Sequence, residues 1–213
     1  MAKIIGIMGE SGAGKTTSMR NLDPKTTFYI DCDKKGLSWK GWKDQYNLDN
    51  KNYLKTDNQG AILSILNKIN TTQTHISTVI IDTLNGIMVA DEMRRAKEKN
   101  YDKWLDLAVS VWEVIDRALS LRDDLTIIFI AHAQVERDDS GGIFTRMKTS
   151  GKKLDKIVLE SKMPTVLLAK ARDGEYIFET RAKNSTVKTP MGAFEADEIP
   201  NDIMLVLEAL KDY

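Results

Sequence analysis

Apolar residues fall along this chain in two rhythms, short unbroken runs and stripes of helical period, and the two alternate. The runs cover residues 4–8, 27–31, 78–81 and 125–134. Runs of this length, rich in Ile, Val, Phe and Tyr, predict strands buried on both faces, the kind a parallel sheet holds. Ala61, Ile62, Ile65, Leu66 and Ile69 recur at i, i+3, i+4 spacing and predict a helix over 59–70, with Asp57 and Asn58 as candidate caps. Residues 87–99 also read as a helix, highly charged at its end. A longer helix is predicted over 101–121, where Trp104, Leu107, Ala108, Val111, Ile115 and Leu119 form one stripe of core packing. Residues 17–22 predict a helix that Asp23-Pro24 ends, because the residue before a proline is pushed out of the helical region. Further on, 153–160 predict a short helix, and 164–170 with 175–180 a hairpin around Arg172-Asp173-Gly174. Residues 201–213 predict a closing helix with Ile203, Leu205, Val206, Ala209 and Leu210 on its apolar face. Strands alternating with helices predict an α/β fold with a mostly parallel central sheet, as one domain over 1–213.

The polar residues that interrupt this pattern carry the chemistry. Between the first run and the first helix stands GESGAGKT, which fits G-x-x-x-x-G-K-[ST] at every fixed position. Gly9, Gly12 and Gly14 let successive N–H groups turn inward, and those donors with the following helix start make an anion site. The candidate nucleotide-binding residues are Gly9, Glu10, Ser11, Gly12, Ala13, Gly14, Lys15, Thr16 and Thr17. Lys15 would reach the β- and γ-phosphates, and the Thr16 hydroxyl would hold Mg²⁺. The run 78–81 ends in Asp82, an acid that is costly at a buried strand tip unless it faces a cation or donors; it is the second candidate metal-side residue.

Ligands of open parallel sheets sit beyond the strands' C-terminal ends, so three further groups become candidates. Asp31 and Asp33 end the second run, where an acid could orient the water attacking a γ-phosphate or merely cap the next loop. His132 ends the fourth, as a satisfied structural histidine or a γ-phosphate sensor, with Gln134 the other candidate for that role. The aromatics and lysines of 37–46 suit either base stacking or, with more weight, packing against the core.

Composition narrows the partners. Lys+Arg and Asp+Glu both number 31, so a polyanion must be held by local islands, not by the whole molecule's field. One island is 142–153, where Arg146, Lys148, Lys152 and Lys153 stand with Phe144 and no acid, after a predicted turn at 139–142. Cations for phosphates beside an aromatic for a base make Phe144, Arg146, Lys148, Lys152 and Lys153 the candidate nucleic-acid contacts; a solvated hairpin is the alternative. Arg181, Lys183 and Lys188 form a second island. A cation there could reach a nucleotide on a neighbouring subunit. The single Cys32 rules out an internal disulfide and fits a reducing cytoplasm. No apolar stretch approaches the ~18 residues of a membrane span.

In the order GESGAGKT, YIDCD, VIID and IIFIAHAQ, the chain resembles the RecA-like core ATPases. It is most similar to their short phage-encoded branch, the Sak-type single-strand-annealing ATPases, and the run from LLAKARDGEYIFETRAKN to PNDIMLVLEAL shares in that likeness. The resemblance implies a three-layer core, ATP hydrolysis with Mg²⁺, single-stranded DNA binding, and assembly into a homo-oligomeric ring or filament. It also implies a role in phage recombination inside the bacterial cytoplasm, with a single-strand-binding protein as a further partner. By it, Lys15 and Thr16 take the phosphate and metal roles, and Asp82 the metal-side role. Asp33 falls where the family has its catalytic glutamate, one methylene shorter, and Lys183 matches the trans-acting cation loosely. Two other classes remain open. One is an ATP-switched assembly module with little turnover; the other is a P-loop small-molecule kinase, for which the chain lacks an arginine-rich lid.

Overall fold

The apolar runs do become the centre of a sheet. In the computed structural model, which describes residues 1–98, 102–137, 141–149 and 158–213, they form β1 (Lys3–Gly9), β2 (Thr27–Asp31), β4 (Thr78–Asp82) and β5 (Thr126–Arg137). β3 (Tyr53–Lys55) flanks β2, and β7 (Thr165–Arg172) flanks β1. The order is β3-β2-β4-β5-β1-β7, all parallel, extended by antiparallel β8 (Glu175–Glu179) and β9 (Glu198–Pro200). β6 (Ile143–Met147) pairs antiparallel with the outer part of β5. The hairpin predicted near the C-terminus is thus β7–β8, turned by Asp173 and Gly174 at φ 54° and 84°.

Alternate residues of each strand feed two separate cores. Ile4, Phe28, Ile30, Ile81, Ile127 and Phe129 point to one face, covered by α2 (Gln59–Thr71), α3 (Leu84–Arg94) and α4 (Asp102–Leu119). Ile5, Ile7, Tyr29, Ile80, Ile128 and Ile130 point to the other, covered by Met19, Leu22, the 37–46 segment and α5 (Ile203–Ala209). Each such buried side chain contributes about 2 kcal/mol. The result is three layers, helices on both faces of a mostly parallel sheet. Among the described residues no helix is long and apolar enough to cross a membrane.

Several elements differ from the sequence expectation. The helix after the glycine loop shrinks to a 3-10 turn at Thr17–Met19. Ser18 Oγ takes the Lys15 carbonyl (2.6 Å), the next N–H groups reach back only three residues, and Pro24 allows no recovery. α3 starts three residues earlier than expected because Thr83 caps it, its hydroxyl accepting from Gly86 N at 3.0 Å. It ends at Arg94; residue 99 lies outside the described residues. Asn58, not Asp57, caps α2, while Asp57 pairs with Lys34 and Arg94. In α4 Val111, Val114, Ile115 and Ala118 are buried; the side chains of Trp104, Leu107 and Ala108 lie outside those described. Of the predicted 153–160 helix only the end is described, as a 3-10 turn at Leu159–Lys162. The 37–46 aromatics pack: Trp39 and Tyr46 ring Tyr29 at 6.4 and 5.7 Å, and Trp42 meets Tyr53 at 5.5 Å. α1 (Trp42–Gln45) lies in this segment.

Candidate nucleotide-binding site

Because β1, β2, β4 and β5 run parallel, their C-terminal ends share one edge, and β5 separates the glycine-loop strand from the Asp82 strand. The rungs Gly9↔His132, Asp82↔Ile130 and Asp31↔Asp82 set the heights of the groups there. A cavity of 740 Å³ opens at this edge, lined by residues that include Gly12, Gly14, Lys15, Thr16, Thr17, Lys35, Asp82, Thr83 and His132.

Gly12 and Gly14 sit at φ 81° and 84°, in the left-handed region that a Cβ disfavours, which lets the loop curl. Lys15 folds back across it, its Nζ donating to the carbonyls of Gly9 (2.8 Å) and Glu10 (2.6 Å). Burial pulls the Lys15 ammonium down from its ordinary value to about 8, against the attraction of Asp82. Thr16 Oγ1 donates to Asp82 Oδ2 at 2.7 Å, and Tyr29 OH donates to the same oxygen at 2.6 Å. The other oxygen, Oδ1, is buried and takes no hydrogen bond. Burial raises the Asp82 carboxyl above its usual range, although both donors oppose the shift.

A lone buried carboxylate oxygen beside a threonine hydroxyl is a donor set fit for Mg²⁺, which takes few protein ligands and completes its shell with phosphate oxygens and water. Among the described residues no group of three or more His, Cys, Asp and Glu could hold a metal by itself. Thr16 and Asp82 are the residues that would hold the ion.

Asp33 stands next to this pair. It accepts from Thr83 Oγ1 at 3.0 Å and from Lys35 Nζ at 2.6 Å. Asp31 does not face the cavity; it caps the following loop, accepting from Gly36 N (2.8 Å) and Tyr53 OH (2.7 Å). His132 lines the cavity, and burial, followed by the charge of Lys15, lowers its pKa, which favours the neutral imidazole. Its main chain is held on both sides. His132 N donates to Asn85 Oδ1 (2.7 Å), Lys148 N donates to His132 O (2.7 Å), and Asn85 Nδ2 donates to Lys148 O (2.8 Å).

Other sequence candidates land elsewhere. Gln134 is two residues further out on β5, outside the cavity lining, and its amide donates to Glu136. Lys183 lies on the other side of the loop, near Glu198 (3.4 Å) and Asp197 (3.7 Å), and Arg181 pairs with Asp197 at 2.9 Å. Arg181 and Lys183 are thus paired with acids at the start of β9 and just before it. Arg146 is a correction: it is 5 % exposed on β6 and pairs with Glu136 on β5, so it does not present its charge to a solvent-borne phosphate backbone. Phe144 is half-buried and Lys148 exposed, while Lys152 and Lys153 lie outside the described residues. The β5–β6 pairing, Arg137↔Ile143, agrees with the expected hairpin; of its predicted turn at 139–142, residues 139 and 140 lie outside the described residues.

Sequence reasoning missed Tyr29, Lys35, Thr83 and Asn85 at this sheet edge, and Arg20, Tyr176, Pro200 and Asn201, which also line the cavity. A tyrosine in a buried strand needs a partner for its hydroxyl, which is the one signal that could have found Tyr29.

The chain matches the AAA domain family over residues 1–188 and belongs to that family. No curated protein matches it. Its fold and loop are therefore those of an AAA-type P-loop NTPase, a family that implies nucleotide use, typically with Mg²⁺, and supports ATPase activity.

Proposed function

We propose that this protein is a Mg²⁺-dependent ATPase that binds single-stranded DNA and promotes annealing or strand exchange in recombination. The observation that carries the hydrolytic part is the Thr16–Asp82 pair with its unpartnered Oδ1, set beside the buried Lys15 ammonium. In this mechanism Lys15 neutralises charge growing on the β,γ-bridge, and Thr16 with Asp82 would hold a Mg²⁺ ion that offsets phosphate charge. Asp33 orients the attacking water, and His132 meets the γ-phosphate. The resemblance to the phage Sak-type branch supports the recombination role, the ring or filament, and the single-strand-binding protein as partner. What supports a DNA link in the molecule is continuity. The strand that carries His132 runs straight into the β5–β6 hairpin, and Asn85 ties His132 to Lys148 at the hairpin's exit. Lys183 as a cation acting on a neighbour's nucleotide would first have to leave its acids.

Steady-state hydrolysis with and without single-stranded DNA tests the whole. Several-fold stimulation by DNA is the expected result, with Lys148→Ala lowering the salt slope of DNA binding by about 1. Turnover indifferent to DNA would remove the recombination role and leave the ATPase.

A second reading, an ATP switch with little turnover, is favoured by one contact: Lys35 occupies Asp33 Oδ2. Asp33→Asn separates the two. As a base, Asp33 should be worth about 10²-fold in turnover, with ATP affinity by calorimetry unchanged. Turnover equal to wild type would eliminate it.

A further inference from the structure

Lys15 is not the sole cation in the cavity; Arg20 and Lys35 line it too. Arg20 is occupied by the backbone, its Nη1 donating to the carbonyls of Thr17 (3.2 Å) and Asn201 (3.0 Å). Outside the cavity, Arg181 and Lys183 are paired with Asp197 and Glu198. Lys35 differs from all of these. Its one partner among the described residues is Asp33, itself a candidate for the reaction.

The turn that carries Lys35 is anchored on both sides of it. Gly36 N donates to Asp31 Oδ2 at 2.8 Å, and Lys34 Nζ pairs with Asp57 at 2.7 Å. A Cβ at Gly36 would meet the Trp42 ring at 2.8 Å, so the turn packs directly on the aromatic segment. The backbone is thus fixed, while the Lys35 side chain, 52 % exposed, is free to turn. Asp33 is fixed from the opposite direction. Its Oδ1 accepts from Thr83 Oγ1 at 3.0 Å, and a Cβ at Gly86 would meet that oxygen at 2.6 Å, so the carboxylate has no room to withdraw toward α3. Its Oδ2 faces Lys35 Nζ at 2.6 Å. Burial works against the Lys35 charge, but Asp33, Asp82 and Asp31 outweigh it and raise the pKa, so the side chain is an ammonium at neutral pH. That charge reaches the whole phosphate edge. Burial is the main cause of the shifts at Lys15, Asp82 and His132, and at all three Lys35 is among the charges that follow.

We infer that Lys35 is a second catalytic cation, which contacts the γ-phosphate of a nucleotide bound to its own chain while it holds Asp33. An ammonium has three N–H donors and Asp33 takes one, which leaves two for phosphate oxygens. The bridge has two effects. It opposes the charge on the γ-phosphate oxygens in the transition state, where a preorganised donor counts most. It also sets Asp33 beside the phosphorus, where the attacking water must be held. Lys35 gives up no proton. Water attacks the γ-phosphorus, its proton passes to Asp33, and the bond to the bridging oxygen breaks to release ADP. The assignment rests on the ATPase reading above and adds a residue to it. The contact that favours low turnover in the free protein becomes, with a triphosphate bound, the one that positions Asp33.

The test pairs binding with turnover in the full chain. Lys35→Met keeps an apolar stem and removes the charge. By calorimetry with Mg²⁺ it should bind the β,γ-imido analogue of ATP about ten-fold more weakly, with ADP affinity unchanged. Its turnover should fall about 10²-fold, and Lys35→Arg, which keeps the charge, should recover the affinity for the analogue. Equal losses for the analogue and ADP would mean that Lys35 only supports the turn, and the proposal falls. Wild-type affinity and turnover in Lys35→Met overturn it as well, with the ATPase reading intact. Mixing Lys35→Met with Lys15→Ala protein should restore no turnover; recovery would put Lys35 on a neighbour's nucleotide and overturn the assignment to its own. A wild type that binds the analogue without hydrolysing ATP loses the ATPase reading, and the ratio of analogue to ADP affinity in Lys35→Met still decides the contact.

Discussion

Lys15→Ala is expected to lower ATP turnover by about 10²–10³-fold, the loss that follows removal of one preorganised charge-stabilising donor. The side chain is buried under the loop, held by the Gly9 and Glu10 carbonyls, and no other described lysine or arginine in the cavity is both buried and on the loop itself. Lys35 is committed to Asp33, and Arg20 to Thr17 and Asn201. The same burial gives the residue a pH signature. Its ammonium in the free protein titrates near 8, and bound phosphates, by stabilising the charged form, raise that value. Nucleotide binding therefore takes up a proton above pH 8, and affinity should fall by up to about ten-fold per unit there. For folding the sign is opposite. The unfolded chain holds the proton up to about 10.5, so between pH 8 and 10.5 stability rises with pH on this residue's account, and at neutral pH the buried charge costs stability. The alanine variant should thus remain folded, bind weakly, and show no break in affinity near pH 8. Calorimetry across pH 6.5–9.5 with parallel turnover measures all three. Wild-type turnover in the variant would remove Lys15 from the mechanism.

The sheet and the phosphate edge were legible because their signals are local. An apolar run ending in glycine or aspartate is visible within ten residues, and so are β1 with its loop, β4 with Asp82, and β5 with His132. α2 was legible because its period spans three turns and Asn58 stands at its start. Charge was misjudged wherever neutralisation is tertiary. Arg146 sits in a run without acids, yet Glu136 meets it across the hairpin. Lys183 and Arg181 look free until β9, three residues ending in a proline, delivers Asp197 and Glu198 beside them. A strand that short carries no periodicity to read. The Tyr176–Asn201 contact failed to show for the same reason: the two are 25 positions apart in the sequence and meet only because β9 returns along β8. The helix after the loop was over-read because a turn's worth of helix-compatible residues says nothing about Ser18 competing for the Lys15 carbonyl.

Asp82→Asn puts the metal site to its sharpest test, because function and stability should move in opposite directions. Both donors at this carboxylate, Thr16 Oγ1 and Tyr29 OH, reach the same oxygen. An asparagine must turn its own oxygen to them, which forces its NH₂ into the place of Oδ1, and an N–H aimed at a cation repels it. Turnover should fall by about 10²–10³-fold, and the thermal stabilisation by Mg²⁺ with ATP should shrink toward that given by ATP alone. The free protein tells the other half. Burial raises the Asp82 carboxyl above its unfolded value, so the folded state binds the proton more tightly. Stability contributed by this group is present at low pH and lost as pH rises through its titration, so ionising the carboxylate is a net cost to the fold. The amide removes that charge and keeps both hydrogen bonds, so the ligand-free melting temperature should be equal or higher. Tyr29→Phe serves as the control. It keeps the carboxylate and loses one donor, so Mg²⁺ dependence should persist with a weaker ion. A lower melting temperature together with a full Mg²⁺-dependent shift in Asp82→Asn would mean that the aspartate holds the fold and another group holds the metal.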